Sequence, residues 1–142
     1  MDDHYRRLER MYLGAPINQW YRPRLTIADG ACELAIEMRP EFHHAAHAVH
    51  GSVLFKLLDD SAFFAANSRV PDSFVLTVSF QLHLLRPVAA GTLTARGKLV
   101  HQSKRLFVAD SVVTNEEGKE VARGTGTFMP STVPLAASIG YR

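Results

Sequence analysis

The sequence predicts an α+β fold in which antiparallel strands wrap around one long central helix. Residues 51–67 form the longest helical pattern, and their apolar side chains surround the helix axis on nearly every side, which is typical of a buried helix. The segments after that helix alternate polar and apolar residues between turn sequences, as expected for a strand meander. Because 142 residues leave room for one core, we expect a single domain over residues 1–142.

Before the central helix, the sequence predicts one short helix and one clear strand. Residues 4–13 carry their apolar side chains on a single stripe and are followed by Gly14, which indicates a short amphipathic helix within a lead-in at residues 1–20. Residues 31–38 alternate strictly between apolar and other side chains. This alternation predicts a half-buried strand, after which a proline and a histidine-rich loop lead into the central helix.

After the central helix, the pattern changes to the period of a strand. In the first strand, the alternation puts Leu76 and Val78 on an apolar face and Thr77 on the opposite, mostly polar face. In the last strand, Gly124 and Gly126 share a face, which we expect to let another backbone approach closely, as a packed helix would. We expect strands at residues 73–85, 92–100 and 105–114, a further strand after the turn at residues 115–118, and an irregular tail at residues 130–142.

The composition argues against several classes of protein. The chain has 16 Lys and Arg against 14 Asp and Glu, a formal charge of +2, which is too small to indicate a nucleic-acid partner. The apolar stretch at residues 73–85 is shorter than the roughly 20 residues of a membrane span. A single cysteine, Cys32, excludes an intrachain disulfide and fits a reducing compartment. We therefore expect a cytoplasmic protein with no membrane or nucleic-acid partner.

The central helix also predicts an oligomer. One face of a sheet cannot cover a helix that is apolar on nearly all sides, and the remainder would be a large apolar patch in water. Another copy of the chain could cover that patch. We therefore expect at least a homodimer.

Two features of the central helix are candidates for chemistry. Asp59 and Asp60 lie in its buried middle, where an unpaired carboxylate is costly. Adjacent helix positions point about 100° apart, so one acid can line a pocket while the other is solvated or paired; alternatively, both only cap or pair across a dimer. Gly51 begins the helix, where free N–H groups can hold an oxyanion, although a glycine here can also simply permit a tight turn.

Other polar clusters carry weaker signals. His43, His44, His47 and His50 lie on a loop without cysteine, so we expect them to form hydrogen bonds rather than to bind a metal. Ser103, Lys104 and Arg105 lie between two predicted strands. They are candidates for a phosphate contact, and a solvated turn is the alternative.

Residues 44–67, HAAHAVHGSVLFKLLDDSAFFAAN, resemble the signature of the hotdog-fold acyl-CoA thioesterases of the phenylacetate-pathway (PaaI-like) type. That signature is N-x-x-G-x-x-H-G-G followed by L-x-x-L-x-D. Here His50 and Gly51 match its HG pair, and Asp59 falls at its acidic position. The resemblance continues through TVSFQLHLLRPVAAGTLTA, HQSKRLFVAD and GKEVARGTGTF. It implies a hotdog fold, an antiparallel sheet wrapped around one helix.

The resemblance also implies roles for individual residues. Asp59 would be the catalytic carboxylate, which activates water or attacks the thioester, and the Gly51 N–H would polarise the thioester carbonyl. Thr77 would orient the water or the acid, and the acid and the N–H donor would come from different subunits. Three positions depart from the signature: His44 replaces its asparagine, His47 its first glycine and Ser52 its last glycine.

The function implied by this resemblance is hydrolysis of an acyl-CoA to a free acid and CoA. His44 would be catalytic, and His50, Ser52 and the three residues at 103–105 would bind substrate. No metal or cofactor is implied, since CoA belongs to the substrate, and the assembly would be a homodimer or a dimer of dimers. The alternatives are a noncatalytic acyl-CoA sensor and a hotdog hydroxyacyl dehydratase.

Overall fold

The computed structural model describes residues 2–142 of the chain. Three helices and six strands form the domain, with two short 3₁₀ helices at Pro40–Phe42 and Ala137–Ile139. The helices are α1 (Asp2–Gly14), α2 (Asn18–Tyr21) and α3 (Gly51–Asn67), and the strands are β1 (Arg24–Ala28), β2 (Ala31–Met38), β3 (Ser73–Leu84), β4 (Gly91–Gln102), β5 (Phe107–Thr114) and β6 (Glu120–Pro134).

The six strands form one antiparallel sheet in the order β1-β2-β4-β5-β6-β3, and this sheet wraps around α3. The expected α+β architecture is therefore confirmed. The bounds of α3 and β2 agree with the sequence prediction, because both elements have strong periodicity and clear stops. No helix within residues 2–142 is both long enough and apolar enough to cross a membrane.

The close approach of helix and sheet occurs on β4, not on β6. A Cβ atom added at Gly97 would overlap the Ser61 carbonyl oxygen in α3. The expectation that a packed helix approaches Gly124 and Gly126 is wrong, because the ring of Phe80 in β3 lies 2.6 Å from an added Cβ at each glycine. At Gly124 a backbone does approach closely, but it is that of β3, with the Gln81 carbonyl oxygen also 2.6 Å from the added Cβ.

A β-bulge in β3 changes the predicted direction of one side chain. Thr77 pairs with Phe128 and Ser79 with Thr127, so Val78 is an extra residue. An extra residue shifts the alternation of side chains on the two sides of the bulge. Thr77 was expected on the mostly polar face of the strand. It instead points toward α3 and bonds to Asp59.

The two edge strands of the sheet differ in how far side chains cover their backbone groups. At β1, the Ile27 N–H donates to Glu9 (2.7 Å) and the Ile27 carbonyl accepts from Arg6 (2.7 Å), so side chains of α1 occupy that edge. At the other edge, β3, the Asn67 side chain bonds to the Ser73 carbonyl and to the Val75 N–H, both at 3.1 Å, but no side chain within residues 2–142 bonds to the backbone from Leu76 to Leu84. Leu76 and Val78 in that part of the strand are 52% and 57% exposed. Natural proteins usually block or cover such an edge, so β3 is the edge available for a second chain.

The segment expected to be an irregular tail, residues 130–142, is partly regular. β6 continues to Pro134 and pairs with β3, and a 3₁₀ helix follows. The prolines fit because β5 begins opposite Phe128, so beyond that point β6 has a neighbour on one side only. Proline is tolerated where one side of a strand is unpaired.

We predict that Gly97→Ala lowers the free energy of unfolding by about 1–3 kcal/mol, because the added methyl group overlaps the α3 backbone. Chemical denaturation measures this change. The control is Gly14→Ala, where no atom lies within 4 Å of the added Cβ. Equal stability of the two variants would contradict the close approach at Gly97.

Candidate active site

Asp59 lies on the side of α3 that faces the start of β3. The Thr77 hydroxyl donates a hydrogen bond to Asp59 Oδ1 at 2.8 Å. Burial raises the pKa of Asp59 from its usual 3.8 to about 6; the Thr77 hydrogen bond opposes this rise, and the charge of Asp60 adds to it. The structure therefore places here a carboxylate that changes protonation near neutral pH and leaves Oδ2 for another partner.

Asp60 has a different environment, although it is the next residue. Its Oδ2 atom accepts hydrogen bonds from Lys56 Nζ (2.8 Å) and from the Tyr12 hydroxyl (2.6 Å). The Lys56 ammonium also lies 4.8 Å from the centre of the Tyr21 ring. As expected, one of the two acids is paired with a base, and it is Asp60; the expectation that only the other acid lines a pocket is wrong, because both line the same cavity.

The sequence alone predicts neither partner of Asp60. Lys56 could have been found, because it lies four residues before Asp60 and helix side chains at that spacing can pair. Tyr12 comes from α1, and no local pattern shows that this helix lies against the middle of α3.

An apolar cavity of about 420 Å³ opens beside the two acids. Aromatic side chains of α3 and β3 form much of its wall, and residues from α1, α2, the end of β6 and the segment after it complete the wall. Since Asp60 is paired with Lys56, Asp59 is the carboxylate in this cavity without a basic partner. The lining residues are Met11, Tyr12, Ala15, Ile17, Asn18, Lys56, Asp59, Asp60, Phe63, Phe64, Phe74, Leu76, Val133 and Ile139.

The other candidate group is the start of α3. Gly51 is the first helical residue, and its N–H has no hydrogen-bond partner within residues 2–142. His50 caps the helix, since its Nδ1 atom accepts from the Ser52 N–H (3.0 Å) and lies 2.8 Å from Ser52 Oγ. The side chains of His50 and Ser52, expected to contact substrate, therefore bond to each other and leave the Gly51 N–H as the free donor.

His44 shares a second cavity, of about 370 Å³, with Gly51. Its Nδ1 atom accepts a hydrogen bond from the Ala46 N–H at 3.0 Å. A ring nitrogen that accepts a hydrogen bond carries no proton, so in the neutral ring the proton is on Nε2. His44 therefore offers a second N–H donor near the start of α3.

The two cavities do not meet at one site within the chain. Gly51 and Asp59 are eight positions apart on α3, which corresponds to about 12 Å along the axis. No residue lines both cavities. One chain therefore supplies the acid at one place and the N–H donors at another.

The remaining candidates lie elsewhere. Ser103, Lys104 and Arg105 are exposed in the turn between β4 and β5, where Ser103 bonds to Leu106, and none of them lines either cavity. The structure thus does not join them to the acid or to the helix start. Within residues 2–142, no group of three or more His, Cys, Asp or Glu side chains is arranged to hold a metal ion.

Comparisons with known proteins find a family model and a named relative that match this chain. The model of the Thioesterase superfamily matches residues 46–122, which include both cavity-lining parts of α3. Acyl-coenzyme A thioesterase PaaI of Escherichia coli (strain K12) is 30% identical over 101 residues, covering 69% of each protein.

Solved structures show the same fold. The E. coli PaaI protein from the phenylacetic acid degradation operon superposes with a TM-score of 0.86 at 22% identity, covering 95% of this chain and 98% of that one. The TT0310 protein of Thermus thermophilus gives a TM-score of 0.76 at 28% identity, covering 82% of this chain and 98% of that one.

We predict that Asp59→Asn raises the melting temperature at about pH 8 but not at about pH 4. The pKa of Asp59 is higher in the folded chain, so as the pH rises from 3.8 to about 6 the unfolded chain loses its proton first, and wild-type stability falls. The variant keeps its Thr77 hydrogen bond and has no such loss. Thermal melts at both pH values measure the difference.

Asp60→Asn is the matched control, because it removes a paired charge instead of an unpaired one. It should lower the melting temperature near neutral pH, since Lys56 loses its partner. If the two variants shift the melting temperature in the same direction at about pH 8, the contrast between the two acids is wrong.

Proposed function

The chain belongs to the thioesterase superfamily and has the hotdog fold, and we propose that it hydrolyses acyl-CoA to a free acid and CoA. The observation that carries this proposal is Asp59, a carboxylate without a basic partner in an apolar cavity. Its relative in E. coli is named an acyl-coenzyme A thioesterase. The reaction uses water and the thioester alone, so it requires no metal or further cofactor.

Asp59 is the general base of the proposed reaction. A base works best when its pKa lies close to the working pH, and burial raises the pKa of Asp59 to about 6. Thr77 holds Oδ1 by its hydroxyl hydrogen bond, which leaves Oδ2 to accept the proton of water. Thr77 is thus a positioning residue that acts through Asp59.

The N–H of Gly51 is the proposed donor to the thioester carbonyl. It has no partner in the described chain, and it lies at the positive end of the α3 dipole. A fixed N–H stabilises the negative oxygen of a tetrahedral intermediate more than it stabilises the carbonyl. The Nε2 proton of His44 offers the second donor, where the family signature has the amide of asparagine.

The acid and these donors act together in a homodimer. About 12 Å of helix separates Gly51 from Asp59 in one chain, which is too far for a water and a carbonyl that must react. A second copy joined at the open edge of β3 would bring its own Gly51 to the Asp59 cavity. Leu76, which lines that cavity, also lies on this edge. Two such dimers could form a dimer of dimers.

The steps balance without another reagent. Asp59 takes a proton from water while the water oxygen forms a bond to the thioester carbon, and the carbonyl oxygen becomes an anion held by the partner's donors. The anion collapses, the carbon–sulfur bond breaks, and Asp59 returns its proton to the CoA sulfur. The products are a carboxylic acid and CoA.

We predict that Asp59→Asn lowers kcat for thiol release from acyl-CoA by at least about 10²-fold, the lower end for loss of a general base. Asp60→Asn should lose less, because Asp60 is already paired. Thiol release from short, long and aromatic acyl-CoAs is measured on dimers of confirmed size. Equal kcat for Asp59→Asn and wild type would refute the catalytic carboxylate and favour a binding protein.

We predict that Gly51→Pro lowers kcat by about 10²–10³-fold, because proline removes the N–H and is well tolerated at the first position of a helix. His50 already has the extended conformation, with φ −63° and ψ 142°, that suits a residue before proline.

Gly51→Ala is the control for the added Cβ, which in both variants approaches Leu84 Cδ1 at 2.9 Å. Since alanine keeps the N–H, this variant should retain most of kcat. If Gly51→Ala loses as much activity as Gly51→Pro, the steric effect of the side chain explains the loss and the oxyanion role is wrong.

We predict that a heterodimer of an Asp59→Asn chain and a Gly51→Pro chain recovers about half of wild-type activity, since one of its two shared sites then has both groups intact. The two chains are co-expressed with different affinity tags and purified together. If acid and donor came from one chain, this heterodimer would stay as inactive as its parents. A stable monomer in light scattering would also contradict the shared site.

A further inference from the structure

The segment after β6 is fixed against α1 by a buried histidine. We call residues 135–142 the strap. His4 Nε2 lies 3.0 Å from the Asn67 carbonyl oxygen, which can only accept, so Nε2 carries the proton. Nδ1 of the same ring then accepts from the Tyr141 hydroxyl at 2.7 Å. His4 thereby ties the strap to α1 and to the end of α3.

A second contact sets the strap close to α1 beside the cavity. Gly140 has a φ of +91°, and a Cβ atom there would lie 3.3 Å from Met11 Cα. Glycine therefore permits both the turn and the close approach to the helix. Ile139 precedes this turn, and it is the residue of the strap that lines the cavity containing Asp59.

The walls of this cavity select for an uncharged apolar group. Apart from Asp59, its charged residues are Lys56 and Asp60, which neutralise each other. The aromatic rings of Phe63 and Phe74 pack with centroids 5.1 Å apart on the same wall. An acyl group ending in a carboxylate would lose its water here without gaining a free positive partner.

We propose that Ile139 limits the size of the acyl group, and that the strap makes this protein selective for uncharged apolar acyl groups that end against that side chain. This inference rests on the proposed function, because it takes the Asp59 cavity as the acyl site. The strap is held by contacts that do not use the Ile139 side chain, namely those of Tyr141 with His4 and of Gly140 with the backbone of Met11. Ile139 can therefore change in size without loss of the contacts that place it.

The experiment separates binding from turnover. Isothermal titration measures the dissociation constants of straight-chain saturated acyl-CoAs of increasing length for the Asp59→Asn protein, which keeps the cavity but does not consume the ligand. The same series is measured for three double variants, in which Asp59→Asn is combined with Ile139→Ala, Ile139→Phe or Ser138→Ala. Ser138 is the matched control, since it is the neighbouring strap residue and does not line the cavity. Thiol release by the wild type tests the proposed function separately.

Ile139→Ala should move the tightest-bound chain to greater length by about three carbon atoms, the number removed from the side chain, and Ile139→Phe should move it to shorter length. The ratio of dissociation constants for the long and short chains should change by about 10-fold or more in each case. Ser138→Ala should leave the series unchanged, and a dicarboxylic acyl-CoA should bind more weakly than its monocarboxylic counterpart of equal length.

Three results would overturn the inference: an unchanged series in both Ile139 variants, an equal shift in Ser138→Ala, or no binding of any acyl-CoA. If one Ile139 variant does not fold, the other still decides between the first result and the expected one. Wild-type protein that binds the series but releases no thiol would refute the proposed hydrolysis and leave the role of Ile139 standing.

Discussion

The structure depends on burying α3 while keeping one of its carboxylates reachable. Strands β2 to β6 contact this helix, and from Ser61 to Ser68 every residue is buried. An ionised acid inside such a core is costly. At Asp59 the cost is reduced by the Thr77 hydroxyl and by the adjoining cavity, but the raised pKa shows that burial still dominates.

The same rigid helix also determines how a site can be assembled. A helix holds its first residue and its ninth at a fixed separation, so the N–H of Gly51 and the carboxylate of Asp59 cannot approach each other by bending. The sheet edges then favour one arrangement of two chains. Arg6 and Glu9 occupy the backbone groups of Ile27 on β1, whereas on β3 the described residues cover only the start of the strand, where Asn67 bonds to Ser73 and Val75.

Much of this arrangement could be read from the sequence, because it is local. Periodicity predicted α3 and β2. The resemblance around His50 and Gly51 predicted where the central helix starts and pointed to Asp59. The bulge at Val78 could not be predicted, since Thr77 and Ser79 fit an uninterrupted alternation in the sequence and only the strand pairing shows the extra residue. The long-range contacts of α1 and the strap left no periodic signal at all, and the prolines of β6 suggested an irregular segment although β3 pairs with it.

The adjacent acids show why both local spacing and tertiary contacts are needed to assign a role. Lys56 precedes Asp59 by three positions and Asp60 by four, so helix spacing alone allows either pair. Tyr12 of α1 selects Asp60, because its hydroxyl donates to the same Oδ2 atom that Lys56 contacts. With that oxygen held from two sides, Lys56 stays with Asp60 and only weakly opposes the rise in the pKa of Asp59. The contact from α1 therefore keeps one acid structural and leaves its neighbour free to take a proton.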